Sequence, residues 1–85
     1  MSATILLVDD DESLRQVMSQ YLTQEGYRVL AAGSGVEGLR LFYAERPDAV
    51  LLDLMMPGMD GWEVCARLRE LSDAPILLVT ACTSQ

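Results

Sequence analysis

Apolar runs typical of strands alternate with amphipathic helical patterns along the chain, and this alternation most constrains the fold. The runs that predict strands lie at residues 4–8, 27–32, 49–52 and 75–80. Between them, apolar residues recur at helical spacing. A βαβαβαβ order predicts a parallel sheet with right-handed crossovers, and the continuous apolar strands indicate that both faces of the sheet are covered.

Boundary signals limit the predicted helices. The first helix should end near Gly26, Ser34 can cap the second, and Pro47 ends it. The stretch DLMMPGMDG, residues 53–61, forms a loop before the third helix. The apolar positions that predict these helices are Leu14, Val17, Met18, Tyr21 and Leu22, then Val36, Leu39, Phe42 and Tyr43, and finally Trp62, Val64, Cys65, Leu68 and Leu71.

The composition fits one small packed domain and excludes several chemistries. The chain has 85 residues, 51% of them hydrophobic, and a net charge of -7, which argues against direct binding of nucleic acid. These residues include no Lys and no His, which excludes histidine bases, histidine metal ligands and lysine nucleophiles. Cys65 and Cys82 lack the spacing of a zinc or redox site and suit reduced core thiols.

The sequence shows no recognisable targeting or membrane segment. Its N-terminus lacks basic residues, and its apolar run reaches acidic residues by Asp9. We therefore expect neither a signal peptide nor a membrane span. Together with the reduced cysteines, this pattern predicts a cytoplasmic protein.

Acidic and hydroxyl side chains fall at successive strand ends. Asp9 and Asp10 follow the first strand, Asp53 follows the third, and Thr80 closes the fourth. In an open parallel sheet these ends share the edge where ligands bind. If the first and third strands are neighbours, about 4.8 Å apart, three carboxylates converge there. A divalent cation such as Mg²⁺ would then offset their mutual repulsion.

Ordinary structural roles explain the same residues one at a time. Acidic residues favour the positive end of a helix dipole, which accounts for Asp11 and Glu12. A single aspartate after an apolar strand, such as Asp53, is common in turns. Threonine is likewise common in strands. The hypothesis of a site therefore depends on the combination of residues rather than on any one of them.

Three motifs in order, VDDDES, DLMMPGMDG and PILLVTA, give the sequence a strong resemblance to the receiver domain of two-component response regulators. The resemblance covers residues 4–81, so we expect residues 1–85 to form one partial receiver domain. It implies an α/β fold of three αβα layers, flavodoxin-like (CheY-like), with the strand order 2-1-3-4.

The resemblance implies a phosphoacceptor site at these strand ends. Asp53 would accept a phosphoryl group from the phosphohistidine of a partner kinase. Asp10, Asp53 and the backbone carbonyl of Met55 would bind Mg²⁺ directly, and Asp9 would bind it through water. A domain of this kind is a regulatory switch rather than an enzyme, with at most slow hydrolysis of its own acyl phosphate.

The resemblance also implies supporting roles for four residues. Thr80 would be the switch hydroxyl that turns toward the phosphoryl group. Pro57 and Gly58 would shape the loop that follows Asp53, and Gly61 would open the third helix.

A phosphodonor is the partner that the resemblance implies. A sensor histidine kinase or a histidine phosphotransfer protein would dock on the first helix, around Leu14, Arg15 and Met18. No output is specified by the sequence, so transcription, an enzymatic effector and a single-domain relay all remain open.

The sequence departs from the family pattern after its fourth strand. The family has five strands, and its fifth carries a lysine that pairs with the phosphoryl group. No lysine is present in these 85 residues, so we expect phosphorylation to be impaired. Strand four would then have an unprotected edge through which the chain self-associates, unless the sequence is a fragment of a longer protein.

Two other functions remain open at this point. A degenerate receiver would act only as an interaction module, because the lysine is absent. A haloacid-dehalogenase-like phosphatase would instead use the D-x-D-x-S pattern of Asp9, Asp11 and Ser13, with Thr80 as its second motif. That family also requires a lysine, and the DLMMPGMDG loop would have no role in it.

Overall fold

The computed structural model of the chain describes residues 2–79, in which strands and helices alternate as predicted. The elements are β1 (Thr4–Val8), α1 (Glu12–Gln24), β2 (Arg28–Ala32), α2 (Gly35–Glu45), β3 (Ala49–Asp53), α3 (Gly61–Arg69) and β4 (Ile76–Val79). The predicted strand starts, and the ends of the first three strands, are therefore correct to within one residue. Thr80, the predicted end of the fourth strand, lies outside the described residues. One difference concerns the site, because Asp53 is the last residue of β3 and does not follow the strand.

The strands form one parallel sheet in the order β2-β1-β3-β4, which confirms the predicted fold class. Leu7 of β1 lies opposite both Ala31 of β2 and Leu51 of β3, and Leu51 lies opposite Leu77 of β4. Because side chains alternate along a strand, these four residues face the same side of the sheet. Asp53 lies opposite Val79 at the carboxyl end of β3.

The hydrophobic core lies between the sheet and the two helices α2 and α3. Leu6, Val8, Val50 and Leu52 of the central strands have no exposed surface. They pack with Phe42 of α2 and with Val64 and Leu68 of α3, which are almost fully buried. The hydrophobic core cluster thus lies on this face, where burial of apolar side chains stabilises the fold.

Within residues 2–79 the opposite face of the sheet is covered only in part, so the predicted coverage of both faces is not complete. Helix α1 packs on β2 and β1 and buries Leu7. Beyond it, Leu77 of β4 is 62% exposed, and the described residues place no helix over it. Leu71, a predicted position of the third helix, lies beyond the end of α3. Apolar residues that predict the helices do not all face the sheet either, since several are exposed: Val17, Tyr21, Val36, Tyr43 and Trp62.

Each helix begins at a side chain that accepts a hydrogen bond from its first turn. Asp11 caps α1, Ser34 caps α2, and Asp60 caps α3. The predicted role of Asp11 as a helix-start residue is therefore correct. Within residues 2–79, none of the helices combines the length and apolar character needed to cross a bilayer.

Candidate functional site

Three aspartates converge at the carboxyl edge of the sheet. Asp9 and Asp10 follow β1, and Asp53 ends the neighbouring strand β3. Carboxylate oxygens of the three residues all lie within 4.8 Å of one another. Asp9 and Asp53 are only 5% and 8% exposed, whereas Asp10 is exposed. The pairing of β1 with β3 brings together residues that are more than forty positions apart in the sequence.

Asp9 is held through its backbone and its side chain. Its N–H donates to the carbonyl oxygen of Ala32 at 3.1 Å. Its carboxylate Oδ1 accepts from the N–H of Asp11 at 2.9 Å, and its carbonyl oxygen accepts from Nη1 of Arg15 at 2.7 Å. Three hydrogen bonds, one of them to the neighbouring strand β2, therefore restrict where this carboxylate can lie.

Asp53 is held by the loop that follows it. Its carboxylate Oδ1 accepts from the N–H of Met55 at 3.0 Å. Helix α3 starts so close to this segment that a Cβ atom at Gly61 would overlap the carbonyl oxygen of Asp53. Glycine is therefore required where α3 opens, and the close approach fixes the position of the strand end relative to the helix.

Burial raises the pKa of the Asp9 carboxyl, because desolvation disfavours its charged form. The neighbouring Asp53 carboxylate raises this pKa further, and Asp10 adds to the same effect. The hydrogen bond from the N–H of Asp11 opposes the shift, since it stabilises the carboxylate. The three carboxylates consequently repel one another, and a bound cation would reduce that repulsion.

The donor set suits a hard divalent cation. All three side chains offer carboxylate oxygens, and at least one of them is open to solvent. Mg²⁺ prefers one or two carboxylates together with retained water molecules. An exposed Asp10 beside two buried carboxylates leaves room for such waters, so the residues present fit Mg²⁺.

Three other predicted residues, Met55, Pro57 and Gly58, lie in the loop that follows Asp53. Pro57 and Gly58 are both exposed in the loop between β3 and α3, and Gly58 has a φ of 76°, in the left-handed region that favours glycine. The side chain of Met55 is 71% exposed. Thr80, the predicted switch hydroxyl, lies outside the described residues.

Asp11 does not join the cluster. Its Oδ1 accepts from the N–H of Leu14 at 3.1 Å, as expected for the capping residue of α1. The phosphatase hypothesis needs Asp9 and Asp11 to act on one substrate, whereas here Asp11 serves the helix. This arrangement does not favour the phosphatase alternative.

Sequence reasoning missed the contact that Arg15 makes with the site. The family resemblance assigns Arg15 to a docking surface, but its guanidinium reaches back to the end of β1. No spacing rule predicts this contact, because it depends on how α1 packs against the sheet and on the space left by Gly33.

Known proteins resemble this chain over most of its length. Residues 5–85 match the response regulator receiver domain family. The transcriptional regulatory protein AfsQ1 of Streptomyces coelicolor is 46% identical over 78 residues, which are 92% of this chain and 35% of that protein. Response regulator MprA of Mycobacterium ulcerans is 49% identical over 82 residues, which are 95% of this chain and 35% of that protein. The chain thus spans about a third of the length of these curated relatives.

Solved structures resemble the fold equally well. The chemotaxis protein CheY4 of Vibrio cholerae superposes with a TM-score of 0.93 at 38% identity, covering 99% of this chain and 72% of that one. The N-terminal receiver domain of RstA from Klebsiella pneumoniae, in a BeF3-activated form, gives a TM-score of 0.89 at 34% identity, covering 96% and 70%.

Proposed function

Because this chain belongs to the response regulator receiver domain family, we propose that it is a phosphoacceptor switch in two-component signalling, with Asp53 as the acceptor. The observation that carries the proposal is the position of Asp53 beside Asp9 and Asp10 at the carboxyl edge of the sheet. The domain acts as a regulatory element and not as a classical enzyme. Its phosphodonor is the phosphohistidine of a sensor histidine kinase or a phosphotransfer protein.

In the transfer step, Asp53 is the residue of this chain that forms the new bond. An oxygen of Asp53 attacks phosphorus, an O–P bond forms, the P–N bond to the donor imidazole breaks, and its electron pair stays on the imidazole nitrogen. The product is an acyl phosphate on Asp53. The hydrogen bond from Met55 N–H to Asp53 Oδ1 restricts rotation of the carboxylate and so favours one direction of attack.

Asp10, Asp53 and the backbone carbonyl of Met55 would hold Mg²⁺, with Asp9 binding it through water. When bound, the ion neutralises charge on the phosphoryl oxygens and orients them. The chain's own part is to gather oxygen ligands within 4.8 Å of one another and to keep two of them out of bulk water. Thr80 would bind a phosphoryl oxygen after transfer, and this role remains a prediction.

The first helix is the proposed docking surface for the phosphodonor. Leu14 is 37% exposed, and Arg15 and Met18 are half-buried beside it. Helix α1 starts shortly after β1 ends, and the neighbouring strand β3 ends at Asp53. A partner bound to the first turn of α1 would therefore lie close to Asp53. We place the domain in the cytoplasm, where such kinases expose their phosphohistidine.

A second interaction is proposed at the other edge of the sheet. Strand β4 pairs only with β3 among the described residues, and its Leu77 is largely exposed. An apolar strand edge of this kind favours pairing with another chain. Self-association of the 85-residue chain would cover it.

Labelling with acetyl phosphate and Mg²⁺ tests the proposed acceptor. Intact-mass measurement of the wild type should show one added phosphoryl group, and Asp53→Asn should lose it. Asp73→Asn is the matched control, because it removes an exposed aspartate from the loop before β4. Peptide mapping then locates the label.

Three outcomes separate the functions. A label confined to Asp53 supports the receiver. A label on Asp9 would support the phosphatase. No label at all would indicate an inert interaction module, in which no other residue takes over the role of the absent lysine.

A further inference from the structure

The Arg15 side chain connects the first turn of α1 to the backbone at the end of β1. Its Nη1 donates to the carbonyl oxygen of Asp9 at 2.7 Å, a short distance typical of a charge-assisted hydrogen bond. That carbonyl belongs to the peptide unit that joins Asp9 to Asp10. The orientation of this one peptide plane therefore sets the directions in which two carboxylates of the cluster leave the chain.

Gly33 provides the space in which the guanidinium lies. A Cβ atom at this position would come within 3.0 Å of Nη1 and 3.4 Å of Cζ of Arg15. The N–H of Gly33 donates to Oε1 of Glu37 at 3.0 Å, which holds the turn between β2 and α2 in place. A Cβ atom at position 33 would thus push the guanidinium by a few tenths of an ångström and strain its hydrogen bond to the Asp9 carbonyl.

We propose that Arg15, lying on Gly33, is a positioning residue for the magnesium site, because it orients the Asp9–Asp10 peptide so that both carboxylates face Asp53. This inference rests on the proposed function, since it requires Mg²⁺ to bind the cluster. Arg15 contacts neither the ion nor the phosphoryl group in this scheme. It acts through the backbone.

Charge and positioning make opposite predictions for the loss of Arg15. A guanidinium near a divalent cation repels it, so a purely electrostatic role means that Arg15→Gln binds Mg²⁺ more tightly. A positioning role means weaker binding, because the carboxylates lose their common orientation. Removing groups that orient metal ligands commonly costs about tenfold in affinity, and we expect a loss of that size here.

Calorimetric titration with Mg²⁺ alone measures this difference on the 85-residue chain. Arg28→Gln is the charge-matched control. It removes the same charge from an exposed ion pair with Glu45, at the end of β2 remote from the cluster. We expect Arg28→Gln to leave the dissociation constant unchanged and Arg15→Gln to raise it about tenfold.

Gly33→Ala provides a second test that keeps Arg15 in place. We expect it to weaken Mg²⁺ binding in the wild-type background and to have no further effect in the Arg15→Gln background, because both changes disrupt the same contact. Thermal unfolding of every variant checks that it is folded. Should Arg15→Gln fail to fold, weaker binding by folded Gly33→Ala supports the proposal and unchanged binding overturns it.

The outcomes distinguish this inference from the function on which it rests. Unchanged or tighter Mg²⁺ binding by folded Arg15→Gln overturns the positioning role and leaves the proposed site intact. Absence of Mg²⁺ binding by the wild type overturns both.

Discussion

The two faces of the sheet differ sharply in how well they are covered. On the face of α2 and α3, Leu52 of β3 is fully buried. On the face of α1, Leu77 of the adjacent strand β4 is 62% exposed, although both are leucines in continuous apolar strands. The pattern of a strand therefore does not determine its burial. What determines it is whether a helix lies over that position.

The largest expected effect compares these two leucines directly. Leu52→Ala should lower the free energy of unfolding by about 3 kcal/mol, because it leaves a cavity in the packed face. At concentrations where the chain is monomeric, Leu77→Ala should change it by less than about 0.5 kcal/mol, since its side chain is already largely exposed to water. Urea unfolding followed by circular dichroism measures both. Equal losses would mean that something covers Leu77 in solution.

Self-association at the uncovered face provides a second test. Leu77→Lys should raise the dissociation constant for self-association about tenfold, because it places a charge on the exposed apolar strand. Sedimentation velocity over a range of concentrations measures this change. Gln20→Lys, on the exposed surface of α1, is the charge-matched control and should have no effect. A wild-type chain that remains a folded monomer at all concentrations would contradict the proposed interface.

Two neighbouring aspartates also differ in how far they are buried. Asp9 is buried and Asp10 is exposed. In the absence of Mg²⁺ at neutral pH, Asp9→Asn should raise the free energy of unfolding by about 1 kcal/mol, because it removes a desolvated charge from the cluster. Asp10→Asn should have a smaller effect, since water screens its carboxylate.

The pH dependence of stability follows from the same burial. The pKa of Asp9 is raised in the folded state, so the folded protein binds this proton more tightly than the unfolded chain. The free energy of unfolding should therefore decrease as the pH rises from the usual pKa of aspartate through the raised pKa. Urea titrations across this range should show a smaller decrease for Asp9→Asn. If the free energy of unfolding decreased equally in both proteins, groups other than Asp9 would be its cause.

Much of the fold follows from sequence patterns. The alternation of strands and helices, the parallel sheet and the capping residue Ser34 are all as these patterns predict. The strand order is the one that the family resemblance implied. Several local results differ from the sequence patterns. Asp53 ends β3 instead of following it, and the apolar residues Val17 and Tyr21 of α1 remain exposed. Helical spacing reveals an apolar stripe but does not show which neighbour, if any, covers it.

The sequence predicted the acidic residues of the site but not the arginine that contacts them. Successive strand ends indicated Asp9, Asp10 and Asp53, and the sheet brings these three together. Their functional roles, and that of Thr80, stay predictions. The contact of Arg15 with the Asp9 carbonyl could not be predicted, because the arginine side chain has many rotamers and only the packed turn at Gly33 selects this one.

The sequence by itself determined the order of elements, the parallel sheet and the three acidic residues at its carboxyl edge, because local periodicity and turn signals act over a few residues at a time. Only the tertiary structure decided which leucine is buried, which aspartate is desolvated and where the Arg15 guanidinium lies. These properties depend on contacts between residues distant in the chain, and such contacts exist only after β1, β3 and the helices have packed together.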